Sequence, residues 1–257
     1  MFKNRSFRKM YFVLSASIGL AVLVSLIIAV PGLSSGPIQL GYGTAIIDGR
    51  MDVGEWDDAT VVMVDVKLPP NDGGGTIPGL LFIQNDNQSL FFALKIKRSP
   101  ISGTVNPTLK FDLNNSGTTD AGDDGIGMSI QKYSGLRTYD NFYTESPPCP
   151  SGRVCGLSDI DFGGTNDVYS QASADEEYTY VELSHPLDSD DDAHDMSINP
   201  GDLIGFSMGL RLFSQDTSCN SGWDCMADTY YPAHGYTQVK TFTTNQTPTA
   251  NPNGPYV

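Results

Sequence analysis

Short apolar runs alternate with polar residues along most of the chain, and Gly, Pro, Asn and Asp separate the runs. β-Branched and aromatic residues dominate these runs, which is typical of strands. The pattern predicts strands at residues 44–47, 60–66, 79–84, 89–97, 108–113, 125–131, 178–184, 203–213 and 236–242. No long segment has the 3.6-residue period of an amphipathic helix. We therefore expect an all-β fold, a sandwich of two antiparallel sheets of the jelly-roll or immunoglobulin-like type.

The first 36 residues have a different pattern. Lys3, Arg5, Arg8 and Lys9 precede an uncharged apolar run over residues 10–30. Such a run, behind a basic flank, predicts a hydrophobic export helix that is either a cleaved signal peptide or a membrane anchor. Both alternatives place the rest of the chain outside the cell, secreted or tethered to the surface through residues 10–30.

The formal net charge is −15, which argues against nucleic acid and anionic membrane surfaces as partners. Of the 30 acidic residues, 25 are Asp. Because Asp favours turns and Glu favours helices, this excess indicates turn and metal-binding loops. A solvated or salt-adapted surface is the alternative.

The four cysteines form two local pairs, Cys149 with Cys155 and Cys219 with Cys225, each in a loop rich in small and polar residues. In an exported chain this spacing predicts two small disulfides. Four cysteines allow three connectivities, and a tetrahedral zinc site is the competing interpretation, although zinc knuckles usually space their cysteines more closely.

A turn and an anchor follow the first predicted strand. Asp48-Gly49 has the composition of a tight turn, and Glu55-Trp56 follows at a short distance. Trp56 is one of only two tryptophans, and burying it would remove a large apolar area from water. We expect Trp56 to be a core anchor rather than a sugar-binding residue.

This opening motif resembles that of family 9 carbohydrate-binding-module-like domains, which belong to the DOMON-like β-sandwiches. Three later segments also resemble the family: the hairpin at residues 80–97, the strand at 178–186 with Glu182 before an apolar-x-Pro ending, and the Gly-Asp-x-x-Gly-Phe strand from residue 201. His185 stands where the family usually has an apolar residue. The resemblance implies a domain over residues 37–244 with a divergent insert at about 132–175, a non-catalytic role in polysaccharide or surface-glycan binding, and bound calcium.

Residues 245–257 are rich in Pro and Asn and are expected to be a linker. They also resemble the first strand of a polycystic-kidney-disease-type repeat, which would begin a further β module.

The strongest candidate metal site follows the fifth predicted strand. Oxygen-bearing side chains occupy alternate positions before Gly117, as a hard cation with six to eight oxygen ligands requires. The loop has no Glu at position twelve, although Asp123 or Asp124 could supply a bidentate carboxylate. The predicted calcium ligands are Asp112, Asn114, Ser116, Asp120, Asp123 and Asp124. A solvated acidic turn is the alternative, and for the second Asp-rich run, at residues 188–195, solvation is the favoured interpretation.

The candidate sugar-binding residues are aromatic. Sugars bind through apolar faces stacked on aromatic rings, and Trp223 lies between two cysteines, near Tyr230 and Tyr231. Tyr143 belongs to the aromatic residues of the insert. Packing in the core or in loops is the alternative for all four, and no second tryptophan aligns with the aromatic sandwich of the family's sugar-binding members.

Two catalytic or cofactor interpretations are weaker. Gly205-Phe-Ser207-Met-Gly209, followed by Asp228 and His234, matches a hydrolase nucleophile elbow, but it lies within a predicted strand that no helix follows. Haem ligation by a histidine and a methionine, as in some DOMON relatives, is the other alternative. The candidates are His185, His194 and His234 with Met128, Met208 or Met226. We therefore predict a non-enzymatic binding module, with a structural or adhesive spacer of a larger surface protein as the second hypothesis.

Overall fold

The computed structural model describes residues 36–97, 105–131, 135–191, 193–214 and 225–243. The predicted export helix, the linker at 245–257, Cys219 and Trp223 lie outside these residues. Within the described ranges, none of the helices has the length and apolar character needed to cross a membrane.

Fourteen strands and two short helical turns make up the described chain. The strands are β1 (Ile38–Gln39), β2 (Gly41–Tyr42), β3 (Thr60–Lys67), β4 (Thr76–Asn85), β5 (Ser89–Ile96), β6 (Val105–Asp112), β7 (Asp124–Gln131), β8 (Gly135–Thr144), β9 (Cys155–Ser158), β10 (Tyr169–Ala174), β11 (Thr179–Pro186), β12 (Leu203–Phe213), β13 (Met226–Tyr231) and β14 (Thr237–Lys240). A 3-10 turn spans Pro70–Asp72, and one helical turn, α1, spans Asp159–Phe162.

The strands form two sheets, as the sequence predicts. The large sheet has the order β1-β14-β12-β6-β7-β8-β9, and β13 also pairs with β12. The small sheet has the order β10-β11-β5-β4-β2, and β3 also pairs with β4. Neighbouring strands are antiparallel except for the short pairs β1 with β14 and β2 with β4.

Three phenylalanines pack between the sheets. Phe92 of β5 stacks on Phe206 of β12 with ring centroids 5.8 Å apart and an interplanar angle of 8°, and Phe111 of β6 lies 5.9 Å from Phe92. All three are almost fully buried. On β5, β6 and β12 the alternating apolar residues therefore face the core, and the intervening residues face outward.

The predicted strand at residues 44–47 does not form. The backbone N–H of Ile46 donates to the Glu55 carboxylate at 2.5 Å rather than to a neighbouring strand. Glu55 also accepts from the backbone N–H of Asp52 at 3.1 Å. The Glu55 side chain, and not a neighbouring strand, thus accepts the backbone hydrogen bond of this segment. The other predicted strands are present, with unchanged ends for 203–213 and shifted ends for the rest, while β8, β9 and β10 come from the divergent insert.

Glu182 joins the turn and the anchor of the opening motif. Its carboxylate accepts hydrogen bonds from the backbone N–H groups of Gly49, at 2.8 Å, and Asp48, at 3.2 Å, and from Trp56 Nε1 at 3.1 Å. Trp56 is 5% exposed and packs on Phe91 on the outer side of the small sheet. The anchor prediction for Trp56 is confirmed. Burial raises the pKa of Glu182 to about 7, although the three N–H donors favour its ionised form.

The Cys149–Cys155 disulfide is present, as predicted from the spacing. Cys225 is also disulfide-bonded.

Candidate functional site

A row of residues crosses the outer face of the large sheet. Strand pairing places Tyr230 opposite Gly209, Gly209 opposite Thr108, Thr108 opposite Gly127, and Gly127 opposite Tyr139. The row therefore begins on β13, crosses β12, β6 and β7, and ends on β8. Since residues directly opposite each other point to the same face of a sheet, all five positions face away from the core.

Glycines occupy two positions in the middle of this row. Gly209 lines a groove of about 890 Å³ above the sheet, and a Cβ atom there would contact the Tyr230 ring at 3.6 Å. Gly127 is packed closely against β6, since a Cβ atom there would lie 2.8 Å from the carbonyl oxygen of Pro107. The volume is within the range of small-molecule binding sites.

Tyrosines stand at the two ends of the row. Tyr230 is 60% exposed and Tyr139 is 38% exposed. With roughly 4.8 Å between neighbouring strands, four strand spacings separate them by about 19 Å. The groove can therefore hold an extended ligand between two exposed rings.

Polar groups line the groove between the tyrosines. Arg211 Nε and Nη2 donate to the two oxygens of Asp228 at 2.7 and 2.9 Å, and this pairing holds the pKa of Asp228 below its usual value. In the register of β6 and β12, Asn106 lies opposite Arg211 and Lys110 lies opposite Ser207. The mutual neutralisation of Arg211 and Asp228 leaves Lys110 as the remaining charged side chain among the described lining residues.

One wall of the groove comes from the predicted calcium loop. Thr118 and Thr119 line the groove, and the Thr119 hydroxyl is 2.7 Å from the Tyr236 hydroxyl. Pro232 and His234 belong to the same side as Tyr236. The loop after β6 and the turn after β13 therefore support each other at the rim.

The predicted sugar-binding residues are found in different environments. Tyr230 lies in the groove, whereas Tyr231 points the other way and packs against the core. Tyr143 lies over Gly125 and Gly156, with Lys110 Nζ 5.2 Å from its ring centroid, and burial raises its pKa to about 12. Trp223 lies outside the described residues.

Sequence reasoning missed the other end of the groove. Tyr139 and Tyr143 are four residues apart on β8, so they share a face, but only the pairing register shows that this face is continuous with Tyr230. The two glycines of the Gly-x-Ser-x-Gly pattern lie inside β12. Gly209 of this pattern forms part of the groove floor rather than part of a strand-to-helix elbow.

The predicted calcium ligands separate into two groups. The Asp112 carboxylate accepts hydrogen bonds from the backbone N–H groups of Ser116, at 2.9 Å, and Gly117, at 2.7 Å. The Asp123 carboxylate accepts from the backbone N–H groups of Leu113, at 3.1 Å, and Asp120, at 2.7 Å. In the same loop, the Asn114 side-chain oxygen accepts from the backbone N–H of Ser116 at 2.8 Å, and the Ser116 hydroxyl donates to the Asp120 carboxylate at 2.5 Å.

Asp124 points away from the loop and into the protein. Its carboxylate accepts from the backbone N–H of Met196 at 2.9 Å and lies close to Asp140, His185 and Asp195. The expectation of a solvated run at residues 188–195 is wrong for Asp195, whose side chain is 1% exposed, because the chain folds this end of the run back onto His185. Burial raises the pKa of Asp124 to about 7.

Comparison with known proteins gives a fold and no sequence family. No family model matches the chain, and no curated protein matches it. A family 9 carbohydrate-binding module from Caldicellulosiruptor kristjanssonii, solved with cellotriose, superposes with a TM-score of 0.50 at 13% identity, covering 84% of this chain and all of that one. The glucose complex of a family 9 module from that organism superposes with a TM-score of 0.49 at 12% identity, covering 83% of this chain and all of that one. The chain therefore has a fold similar to that of family 9 carbohydrate-binding modules.

Proposed function

We propose that this chain is a non-catalytic carbohydrate-binding module whose ligand lies in the groove on the large sheet. The observation that carries the proposal is the row from Tyr230 to Tyr139, in which two exposed rings stand at the ends and Gly209 between them brings no side chain into the groove. Sugar rings bind by stacking an apolar face on an aromatic ring while their hydroxyls meet polar groups at the edge.

The hydrogen-bonding groups of the groove suit a ligand that is rich in hydroxyl groups. Arg211 and Asp228 neutralise each other and present both donors and acceptors to hydroxyl groups. The similar module from Caldicellulosiruptor kristjanssonii was solved with cellotriose, which is a neutral extended glucan. We infer that a β-linked gluco-oligosaccharide is the ligand class to test first.

The test is the affinity of Tyr230→Ala and Tyr139→Ala for cellotriose and longer glucans, measured by isothermal titration calorimetry. Removing one stacking ring should cost about 1–2 kcal/mol, which weakens binding by roughly 5- to 30-fold. Tyr169→Ala is the matched control, because Tyr169 is 56% exposed but lies on β10 of the small sheet. The affinity of Tyr169→Ala for these glucans should equal that of the wild type.

Folded Tyr230→Ala and Tyr139→Ala variants that keep wild-type affinity would show that the sugar does not bind in the groove. If the wild type binds no member of a broad glycan panel, the structural or adhesive spacer becomes the better hypothesis.

We also propose that the loop after β6 binds calcium. Counted from Asp112, Ser116 is at position 5, Gly117 at 6, Asp120 at 9 and Asp123 at 12, and these positions match the order of an EF-hand loop. Gly117 has a φ of +82°, as the sharp turn at position 6 requires. Because Thr118 and Thr119 line the groove, an ordered loop would stiffen its rim.

The extracellular location is a further proposal. Its support is the basic flank followed by the apolar run at residues 10–30, together with the Cys149–Cys155 disulfide, a bond that persists in oxidising compartments.

A further inference from the structure

A second polar cluster lies inside the sandwich, apart from the groove. It contains Asp124 of β7, Asp140 of β8, His185 of β11 and Asp195, and one donor atom from each lies within 4.8 Å of the others. Asp159 of α1 is also fully buried, and its carboxyl group interacts electrostatically with Asp140, Asp124 and Asp195. Ligand atoms around one cation lie up to about 4–5 Å apart, so this spacing fits a shared ion.

The ring of His185 is oriented like a metal ligand. Its Nδ1 lies 2.6 Å from the carbonyl oxygen of Pro186, to which it donates its proton. In the neutral ring the lone pair is therefore on Nε2, which faces the carboxylates. Ligating histidines commonly donate their second ring N–H to a backbone carbonyl in this way.

His185 Nε2 makes no hydrogen bond with the described residues around it. It lies 3.6 Å from Asp140 Oδ2 and 3.7 Å from Asp195 Oδ1, which is too far for a hydrogen bond, and the ring is fully buried. Asp140 Oδ1 and both oxygens of Asp159 also have no hydrogen-bond partner among the described residues. An unsatisfied buried polar atom costs about 1–3 kcal/mol, and several of them lie in or beside this one cluster.

Acidic groups also outnumber basic groups in the cluster. Four carboxyl groups surround one imidazole, and in the described part of the chain no Lys or Arg forms an ion pair with them. Burying several carboxylates without an opposite charge is strongly unfavourable. A divalent cation would compensate the charge and engage the unpaired oxygens together.

We propose that Asp124, Asp140, His185 and Asp195, with Asp159 beside them, bind a divalent transition metal ion within the sandwich. Imidazole nitrogen suits Zn²⁺ and related ions, and carboxylate oxygen suits Mn²⁺, whereas Ca²⁺ prefers oxygen alone. The site is distinct from the proposed calcium loop, because it includes a nitrogen ligand and shares none of the loop ligands at positions 1 to 12.

The position of the cluster indicates a structural role. Asp124 and Asp140 belong to the large sheet, and His185 belongs to the small sheet. One ion would therefore connect the two sheets. A cavity of about 180 Å³, lined by Asp195, His194 and Phe142, offers an access path for the ion.

The test uses the full chain with its disulfides intact, stripped with a chelator and then titrated separately with Mn²⁺, Zn²⁺, Ca²⁺ and Mg²⁺. At about 100 times the dissociation constant, Mn²⁺ or Zn²⁺ should raise the melting temperature by about 5–10 °C. Spin-echo spectroscopy of the Mn²⁺-loaded wild type should show coupling to one imidazole nitrogen, with one ion per chain.

Two matched pairs of variants locate the ion. Asp159→Asn should reduce the Mn²⁺ or Zn²⁺ response by at least half, whereas Asp161→Asn, an exposed position on the same helical turn, should keep it. His185→Gln should abolish the nitrogen coupling, and His234→Gln should not.

The proposal is overturned if the folded wild type gains no stability from Mn²⁺ or Zn²⁺. It is also overturned if bound Mn²⁺ shows no nitrogen coupling, or if the coupling is lost in His234→Gln instead. None of these readouts depends on glycan binding, so they are independent of the proposed function.

Discussion

Replacing Glu182 by Gln tests the contact that joins the Asp48-Gly49 turn to Trp56. Gln has nearly the same shape, but one of its two acceptor oxygens becomes an NH₂ group. If the remaining oxygen keeps the bonds from Asp48 and Gly49, the NH₂ group faces the indole N–H of Trp56. A buried donor without an acceptor costs about 1–3 kcal/mol, and we expect this loss near pH 5.

The stability that is lost in Glu182→Gln should depend on pH. Burial raises the pKa of Glu182 from 4.5 to about 7 in the folded protein. The folded state therefore holds a proton that the unfolded state has released between these values, and stability from this group falls as the pH rises through 7. The loss amounts to about 3 kcal/mol for the wild type and is absent from Glu182→Gln. The difference in stability between the two proteins should thus shrink to near zero by pH 8.5.

The assay is urea unfolding of both proteins at pH 5 and pH 8.5, followed by tryptophan fluorescence. Glu177→Gln is the control, because the Glu177 side chain is 59% exposed and its carboxylate is 3.5 Å from Lys97 Nζ at the surface. That exposed pair should contribute less than about 1 kcal/mol. A cost of Glu182→Gln that grows with pH would refute the reasoning and show that the three N–H donors outweigh burial.

Two further changes test the turn and the calcium loop. Gly49 has a φ of +86°, and a Cβ atom there would lie 3.1 Å from the backbone carbon of Ala172, so Gly49→Ala should lower the free energy of unfolding by about 1–3 kcal/mol. Gly54→Ala is the control, because Gly54 has a φ of +92° but open space around it, and it should lower the free energy of unfolding by less. If urea unfolding gives the same loss for both variants, the contact with Ala172 makes no contribution. Millimolar Ca²⁺ should raise the melting temperature of the wild type and of Asp159→Asn but not of Asp120→Asn; an unchanged wild-type melting temperature would contradict the calcium proposal.

The strand pattern could be predicted from the sequence because alternation is local. The run at 203–213 matches β12 at both ends, since its apolar residues face the core and its glycines and polar residues face the groove. The run at 44–47 failed because its composition is that of a strand while its backbone partner is the Glu55 side chain. Composition does not distinguish these two outcomes.

The candidate sites were less predictable. Asp124 was predicted as a calcium ligand of the loop, but its side chain lies in the buried cluster with Asp140 of β8 and His185 of β11. His185 was visible in the sequence as a departure from the resembled family. Tyr139 had no such signal.

The sequence by itself determined the all-β class, the Asp48-Gly49 turn, the burial of Trp56 and the Cys149–Cys155 disulfide, because each depends on residues that are close in the chain or on simple alternation. The tertiary structure decided where chemistry can occur. The groove exists because strand register aligns Tyr230, Gly209, Gly127 and Tyr139 in one row. The buried cluster exists because the large sheet and the segment after β11 bring acidic residues against His185 of the small sheet. Register and sheet packing are non-local, so a linear pattern cannot specify them.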